Sequence, residues 1–259
     1  MDKAISRDGT AIAFDKLGDG PPVIIIVGAF NDRAAGAPLA EKLASQFTTF
    51  NYDRRGRGES SDANTYEVQR EVDDLAALIE TAGGAACVFG YSSGAVLGLE
   101  AAKRGVPITK LALFEMPLFP GPGPRFTVDH AARLKSMLQA GDRGAAVEYF
   151  QSEVIGIPPE IVAQLRNAPF RPALEAMAQT LVYEAIIVGD GSLHDELATG
   201  VSTPTLAIAG GASFPFMRET AERLAQLLPS GRAVSLEGQT HDIVPEVLGP
   251  ELEHFFQEG

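Results

Sequence analysis

One short segment restricts how this chain can fold more than any other part of the sequence. It is the sequence GYSSG at residues 90–94, preceded by apolar residues 86–89 and followed by a helical pattern at 95–102. A chain that turns sharply from a strand into a helix has no space for a Cβ atom on either side of the turn, and glycine stands at both positions. The segment therefore predicts a strand, a tight turn and a helix, with the Ser92 hydroxyl raised above the edge of a sheet.

Strand patterns alternate with helical patterns through the first 115 residues. Residues 23–27 form a continuous β-branched run, VIIIV, which is typical of a strand buried on both faces of a parallel sheet. The predicted strands are two short ones within residues 1–20 and others at 23–27, 48–52, 86–89 and 110–114, and the predicted helices are 37–47, 66–82 and 93–103. This alternation favours the α/β class, with a mostly parallel sheet flanked by helices.

The alternation stops between residues 116 and 200. Helical patterns occupy this stretch, at 128–140, 143–154, 159–167 and 172–188; strand patterns resume at 203–209 and 232–236, and a last helical pattern covers 250–257. A stretch of about eighty residues is too long for a connection without its own structure. We therefore predict an α/β core formed by residues 1–115 and 201–259, interrupted by a helical insertion at residues 116–200.

Charge and composition limit the partners of the protein. The 259 residues carry 21 basic and 34 acidic side chains, which give a formal net charge of −13. Nucleic acids require a basic surface and anionic membranes repel an acidic one, so we expect neither of these partners. We expect a small-molecule substrate, and the sequence is compatible with a homodimer.

Two further features favour a cytoplasmic protein, while the cysteine count leaves the redox compartment open. Cys87 is the single cysteine, which excludes an intrachain disulfide, and its place in an apolar run predicts a buried, unreactive thiol. Residues 1–9 lack the apolar core of a signal peptide. No segment has the length and apolar character of a membrane span.

The order of these parts resembles the α/β-hydrolase family over nearly the whole chain. The family places a strand before an oxyanion loop, here at 27–30, and then a D-x-R-G-x-G-x-S element, which is similar to DRRGRGES at 53–60. The serine turn, a helical cap and a late histidine follow in the same order. The resemblance implies an α/β-hydrolase sheet with an inserted helical cap, Ser92 as the nucleophile, and a structural role for Asp53 and Arg55.

A serine nucleophile needs a base within hydrogen-bond reach, and the chain has four histidines. His241 follows the predicted last strand and precedes a helix, which is where the family places its base. His130 and His194 fall in the predicted insertion, and His254 lies in the C-terminal helical pattern. His241 is therefore the predicted base.

The acid that orients this base departs from the commonest family pattern. The family carries Asp after the penultimate strand, where this chain has Ser213. Glu115 directly follows the strand at 110–114, and some relatives place their acid there; this makes Glu115 the favoured candidate. Asp190, Asp242, or a serine–histidine pair without an acid remain as alternatives.

The resemblance also implies the oxyanion hole and part of the substrate pocket. The backbone N–H groups of Ser93 and Phe30 are the predicted donors to the oxyanion. Gly28 stands where the family often has histidine. The predicted substrate-binding side chains are Phe30, Tyr91, Phe119 and Tyr183.

The expected reaction is hydrolysis of a small to medium, mostly apolar carboxylic ester or lactone through an acyl-enzyme. Serine at position 92 disfavours the dehalogenases and epoxide hydrolases of the family, which carry Asp there. The alternatives are a lyase, a carbon–carbon bond hydrolase or a cofactor-free perhydrolase, and, from another class, a non-catalytic ligand-binding protein. We expect no cofactor and no metal, because the sequence contains neither a glycine-rich dinucleotide loop nor metal-ligand spacing.

Overall fold

A computed structural model of the chain describes residues 1–121 and 123–258 and places eight strands in one sheet. Pro122, within the predicted insertion, and Gly259 lie outside the described residues. The strands are β1 (Asp2–Ile5), β2 (Ala11–Leu17), β3 (Pro22–Ile26), β4 (Thr48–Tyr52), β5 (Ala86–Tyr91), β6 (Ile108–Phe114), β7 (Thr205–Gly210) and β8 (Gly231–Leu236).

The spatial order of the strands is β1-β2-β4-β3-β5-β6-β7-β8. Strand β2 is antiparallel to both β1 and β4, and every other pair of neighbours is parallel. The predicted α/β class with a mostly parallel sheet is confirmed. In the parallel part, the carboxyl ends of β3, β5, β6, β7 and β8 all reach the same edge of the sheet.

Helices connect these strands and also fill the stretch between β6 and β7. They are α1 (Arg33–Leu43), α2 (Val68–Thr81), α3 (Ser93–Lys103), α4 (His130–Gln139), α5 (Arg143–Tyr149), α6 (Pro159–Leu165), α7 (Arg171–Ala176), α8 (Thr180–Val188), α9 (Pro215–Leu227) and α10 (Pro245–Gln257). A π-helical turn, Phe150–Ile155, continues α5, and a 3₁₀ turn covers Asp195–Leu197. Each of the described helices is too short or too polar to cross a lipid bilayer.

The sheet is buried on both faces, which explains the continuous apolar run of β3. Ile24 and Ile26 join a core that is completed by α2, α3 and α9, whereas Val23 and Ile25 join a second core completed by α1 and α10. Cys87 belongs to the second core and is 7% exposed. Burial raises the pKa of its thiol, which keeps it in the unreactive protonated form.

Three helical predictions need correction in their extent, and the first is that for residues 37–47, since α1 begins at Arg33 and ends at Leu43. Residues 172–188 were expected to form one helix, but α7 ends at Ala176 and α8 begins at Thr180. The Thr180 hydroxyl donates to the carbonyl of Met177 at 2.8 Å and so satisfies a backbone acceptor at the break. The C-terminal helix begins at Pro245 rather than at Pro250, which lies inside it.

Helix α9 is absent from the sequence predictions. Its buried residues Met217, Thr220, Ala221 and Leu224 recur at helical spacing, and Pro215 stands in its first turn. These are standard signals for an amphipathic helix. Two neighbouring parallel strands need a crossover connection, and α9 forms this connection between β7 and β8.

Candidate active site

Five residues of interest follow the carboxyl ends of neighbouring parallel strands. Phe30 follows β3, Ser92 follows β5, Glu115 follows β6, Ser213 follows β7 and His241 follows β8. Open α/β sheets bind ligands at this edge. The topology therefore gathers residues that are up to 211 positions apart in the sequence (30 to 241) at one edge of the sheet.

Ser92 has a backbone conformation that non-glycine residues rarely adopt. Its φ is 56° and its ψ is −124°, while its N–H donates to the carbonyl of Phe114 on β6 at 2.9 Å. A conformation of this kind costs about 1–3 kcal/mol, which the surrounding sheet has to offset. Although Ser92 precedes helix α3, its side chain makes no capping hydrogen bond, which leaves the hydroxyl free to react.

Three glycines give this turn the space it needs. A Cβ on Gly90 would lie 2.5 Å from the carbonyl oxygen of Gly94, and one on Gly94 would lie 2.5 Å from that of Ile26. A Cβ on Gly28 would lie 2.7 Å from the Cβ of Ser92. The histidine that many family members carry at position 28 would therefore collide with Ser92 in this chain.

Glu115 and His241 form a hydrogen-bonded pair beside Ser92. The Nδ1 atom of His241 lies 3.0 Å from Oε2 of Glu115, whose side chain is fully buried. The N–H of Gly210 donates to Oε1 at 2.7 Å, and the hydroxyl of Ser213 donates to Oε2. Ser213 therefore occupies the usual position of the acid and holds a carboxylate that comes from the neighbouring strand.

Ser92 and His241 line the same cavity. The ring of His241 also packs on that of Tyr91, with 5.1 Å between the ring centroids. Among the described residues, the side-chain hydrogen bond of His241 goes to Glu115 and none within 3.5 Å reaches Ser92. In ligand-free enzymes this contact is often long and tightens when the substrate binds.

The two predicted oxyanion donors are backbone N–H groups without a partner in the described part of the chain. Ser93 is the first residue of α3, where an N–H has no acceptor within the helix. Phe30 has a φ of 60°, which turns its peptide away from the direction of β3. Among the described residues other than glycine, a positive φ occurs at Phe30, Ser92 and Glu115. All three follow strands that end at this site.

The cavity beside Ser92 has a volume of about 220 Å³ and is mostly apolar. Tyr91 is the one predicted substrate-binding side chain among the residues that line it. Phe30 instead packs edge-on against Phe150, and the ring of Tyr183 stacks on Tyr66. Phe119 lies next to the lining residue Phe216, with 5.6 Å between the ring centroids. The lining residues are Ala29, Asn31, Tyr91, Ser92, Ser93, Pro117, Arg125, Phe126, Phe150, Val154, Ile155, Glu184, Val188, Phe216 and His241.

The alternative acids and bases lie elsewhere. Asp190 pairs with His194 at 2.9 Å, and Asp242 is exposed and accepts from Thr240 at 3.3 Å. His130 is buried against the hydroxyl of Tyr149 at 2.8 Å, and burial lowers its pKa. None of these residues lines the cavity of Ser92.

Asp53 and Arg55 have the surroundings expected of structural residues. Asp53 accepts from the backbone N–H groups of Arg33 and Glu59, both at 2.8 Å. Arg55 makes two hydrogen bonds of 2.7 Å to Asp74. Both pairs hold the 53–60 loop against the rest of the core.

The remaining arginines of this loop form a buried charged cluster beneath the cavity. Arg54 donates to both oxygens of Glu71, at 2.7 and 2.9 Å, and to Oε1 of Glu184 on α8 at 2.8 Å. Burial by itself would raise the pKa of Glu71, but Arg54, Arg57 and the hydroxyl of Tyr66 together hold that pKa below its usual value. The cluster is therefore a network of ions, with two positive and two negative groups once Arg57 is included.

Arg57 connects this cluster to the predicted oxyanion loop, residues 27–30. It donates to the carbonyl oxygens of Gly28 at 2.5 Å and Asn31 at 3.0 Å, and it also pairs with Glu184. Arg57 thus fixes the loop that presents the N–H of Phe30. Sequence reasoning missed this role, although a single acid in the apolar run of α8, TLVYEAIIV, indicates a buried carboxylate that needs a cation.

Removing the Glu71 carboxylate should destabilise the protein strongly. We expect Glu71→Leu to lower the free energy of unfolding by about 3–5 kcal/mol, because Arg54 would remain buried with half of its partners. Urea unfolding measures this change. Glu80→Leu, which removes an exposed carboxylate from the same helix, should change stability by no more than about 0.5 kcal/mol. Equal effects of the two substitutions would contradict a stabilising role for the cluster.

The sequence also matches a family model. The Alpha/beta hydrolase family matches residues 23–247. This chain belongs to the α/β-hydrolase family. The match begins at the second residue of β3 and includes all later strands, together with Ser92, Glu115 and His241. The N-terminal strands β1 and β2 lie outside it.

Known α/β hydrolases resemble the chain to different degrees. The crystal structure of an alpha/beta hydrolase from Sphaerobacter thermophilus DSM 20745 is 48% identical, has a TM-score of 0.91, and the alignment covers 99% of this chain and 100% of that one. An enol-lactonase from Burkholderia xenovorans LB400 has a TM-score of 0.73 at 22% identity, covering 99% and 100% of the two chains.

A curated relative matches a shorter stretch. An uncharacterized hydrolase, YraK, from Bacillus subtilis (strain 168) is 36% identical over 96 residues, which is 36% of this chain and 35% of that protein. The match thus spans about a third of that relative's length. An α/β-hydrolase fold supports many reactions, so the substrate has to be inferred from the cavity and its charges.

Proposed function

We propose that this α/β hydrolase is a serine hydrolase that cleaves a small carboxylic ester or lactone through an acyl-enzyme. The observation that carries the proposal is the 3.0 Å hydrogen bond between His241 and Glu115 beside a cavity that also contains the strained Ser92. A nucleophile, a base and a group that orients the base are the three elements of this chemistry.

The base is prepared by its carboxylate partner. Glu115 accepts hydrogen bonds from Gly210 and Ser213, so its charged form is satisfied on both oxygens. It then accepts the Nδ1 proton of His241, which leaves the lone pair of Nε2 available for the Ser92 proton. As Nε2 takes this proton, Oγ of Ser92 attacks the carbonyl carbon, and Glu115 stabilises the resulting imidazolium.

The backbone completes the reaction. The attack moves negative charge onto the carbonyl oxygen, where the free N–H groups of Phe30 and Ser93 donate to it. Collapse of this intermediate breaks the ester bond, and the imidazolium gives its proton to the leaving alcohol. Water, deprotonated by His241, then releases the acid and restores Ser92.

In this proposal residues 116–200 act as a cap over the site. Phe126, Phe150 and Val154 of this segment line the cavity, together with Val188 at the end of α8. Phe150 and Val154 belong to the π-helical turn, a feature that is frequent at functional sites. The cavity is smaller than the range of roughly 300–1,000 Å³ that is usual for drug-sized ligands, which favours a small acyl group.

Two measurements test the proposal together. A fluorophosphonate probe should label Ser92, and 4-nitrophenyl esters with short acyl chains or small lactones should be hydrolysed. Labelling without turnover of any ester or lactone would contradict the ester proposal and favour a lyase, a carbon–carbon bond hydrolase or a perhydrolase. Absence of labelling would instead favour a non-catalytic, ligand-binding protein.

A further inference from the structure

Arg125 is a cation in the lining of the catalytic cavity, on the connection that leads into α4. Its guanidinium lies over the rings of Phe126 and Phe216, at 5.1 and 5.0 Å from the ring centroids. Its backbone N–H donates to the hydroxyl of Ser192 at 3.1 Å. Stacking and this hydrogen bond fix where the charge is presented.

Arg125 differs from the buried arginines of this protein because it has no carboxylate partner in the described part of the chain. Arg54, Arg55, Arg57 and Arg171 each have an acidic oxygen within 4.0 Å. Burial lowers the pKa of Arg125, and no nearby acid offsets this effect. An arginine remains protonated in proteins, so its charge stays in the cavity without compensation.

The other charge in the cavity lining does not neutralise Arg125. Glu184 lines the cavity, but its Oε1 accepts from Arg54 and pairs with Arg57. These two arginines balance Glu184 and Glu71 within the cluster beneath. The cavity therefore carries one excess positive charge in a mostly apolar wall, beside Ser92.

We propose that Arg125 binds a carboxylate group of the substrate, so that the enzyme acts on a small ester or lactone that also carries a free carboxylate. This inference rests on the proposed function and names its substrate class. A guanidinium offers paired N–H donors that match the two oxygens of a carboxylate. In a cavity with limited access to water, such a pair is stronger than on a surface. The apolar wall around it would contact the carbon chain between the two carboxyl groups.

The test compares matched esters that differ in one terminal carboxylate. The neutral esters are 4-nitrophenyl propionate, butyrate and valerate, and the charged ones are the mono-4-nitrophenyl esters of succinate, glutarate and adipate. The wild-type enzyme should prefer the charged ester for at least one chain length, by about tenfold to hundredfold in kcat/KM. Arg125→Gln should lower this ratio by a similar factor, mainly through KM, and Arg125→Lys should retain part of it because the charge remains.

Arg133→Gln is the matched control, since it removes an exposed charge from α4 outside the cavity. It should leave the ratio within about twofold of wild type. Turnover of the neutral esters without any preference for the charged ones, or an unchanged ratio in Arg125→Gln, would overturn the inference and leave the proposed function intact.

A second readout separates the inference from the proposed function. Glutarate or succinate should slow labelling of Ser92 by a fluorophosphonate in the wild type and should protect Arg125→Gln at least tenfold less well. If no ester is turned over, the proposed function fails, and protection that depends on Arg125 still supports a carboxylate site. Equal protection of both proteins would show that the carboxylate binds elsewhere and would overturn the inference.

Discussion

Replacing Ser92 with alanine should lower kcat/KM for the hydrolysed ester by about 10⁴-fold or more. The substitution removes the atom that attacks the carbonyl, so the acyl-enzyme route disappears, while the oxyanion donors and the cavity remain. The fold should persist, because alanine needs the same positive φ at position 92 as serine. Steady-state kinetics and fluorophosphonate labelling, with circular dichroism as the check on folding, measure the effect.

The neighbouring serine supplies a matched control. Ser93→Ala removes the adjacent hydroxyl but keeps the backbone N–H that we assign to the oxyanion hole, so we expect activity to fall by no more than about tenfold. Labelling should also persist in this variant. A Ser92→Ala protein that keeps most of its ester hydrolysis would contradict the proposed nucleophile, and a larger loss in Ser93→Ala would point to the wrong serine.

Glu115→Gln should have the next largest effect, a fall in kcat of about 10⁴-fold, which is what the equivalent acid-to-amide change causes in serine proteases. The glutamine amide can neither stabilise the imidazolium of His241 nor hold its Nδ1 proton in place. Its shape is close to that of glutamate, so the loss should appear in kcat with little change in the free energy of unfolding.

Two variants test whether this carboxylate is the acid. Asp190→Asn removes the other candidate, which pairs with His194 outside the cavity, and should leave kcat within about twofold of wild type. Ser213→Ala removes one of the hydrogen bonds to Glu115 and should cost about tenfold or less. If Asp190→Asn were the more damaging substitution, the assignment of the acid to the strand β6 would be wrong.

The sequence alone predicts most of the fold because its periodicity is a local property. The strand at 48–52 and the helix at 93–103 have the bounds that were predicted, since turn residues and buried runs delimit them. Helix α9 was not predicted, although its apolar residues recur at helical spacing in the sequence. The single helix expected at 172–188 is broken near Met177, where a threonine hydroxyl competes for a backbone carbonyl.

Local patterns predict single residues of the site better than they predict its pairs. The turn predicted Ser92, and the position of Glu115 after a strand favoured that residue. The hydrogen bond from Ser213 to Glu115 joins residues that are 98 positions apart in the sequence. The same holds for Glu184, which reaches across to Arg54 and Arg57 from 127 to 130 positions away. Arg125 lies in an irregular connection, so no helical or strand periodicity in the sequence predicts that it lines the cavity.

The positive φ angles of Phe30, Ser92 and Glu115 set activity against stability in this protein. Each such angle raises the energy of the folded chain by about 1–3 kcal/mol. Glycine at position 92 or 115 would relieve that penalty but would remove the hydroxyl or the carboxylate that we propose takes part in the reaction, whereas glycine at position 30 would keep the backbone N–H. Random mutagenesis for heat resistance should therefore select glycine at positions 92 and 115 only among inactive clones, and of the three strained positions only Phe30 should accept glycine in a thermostable active variant.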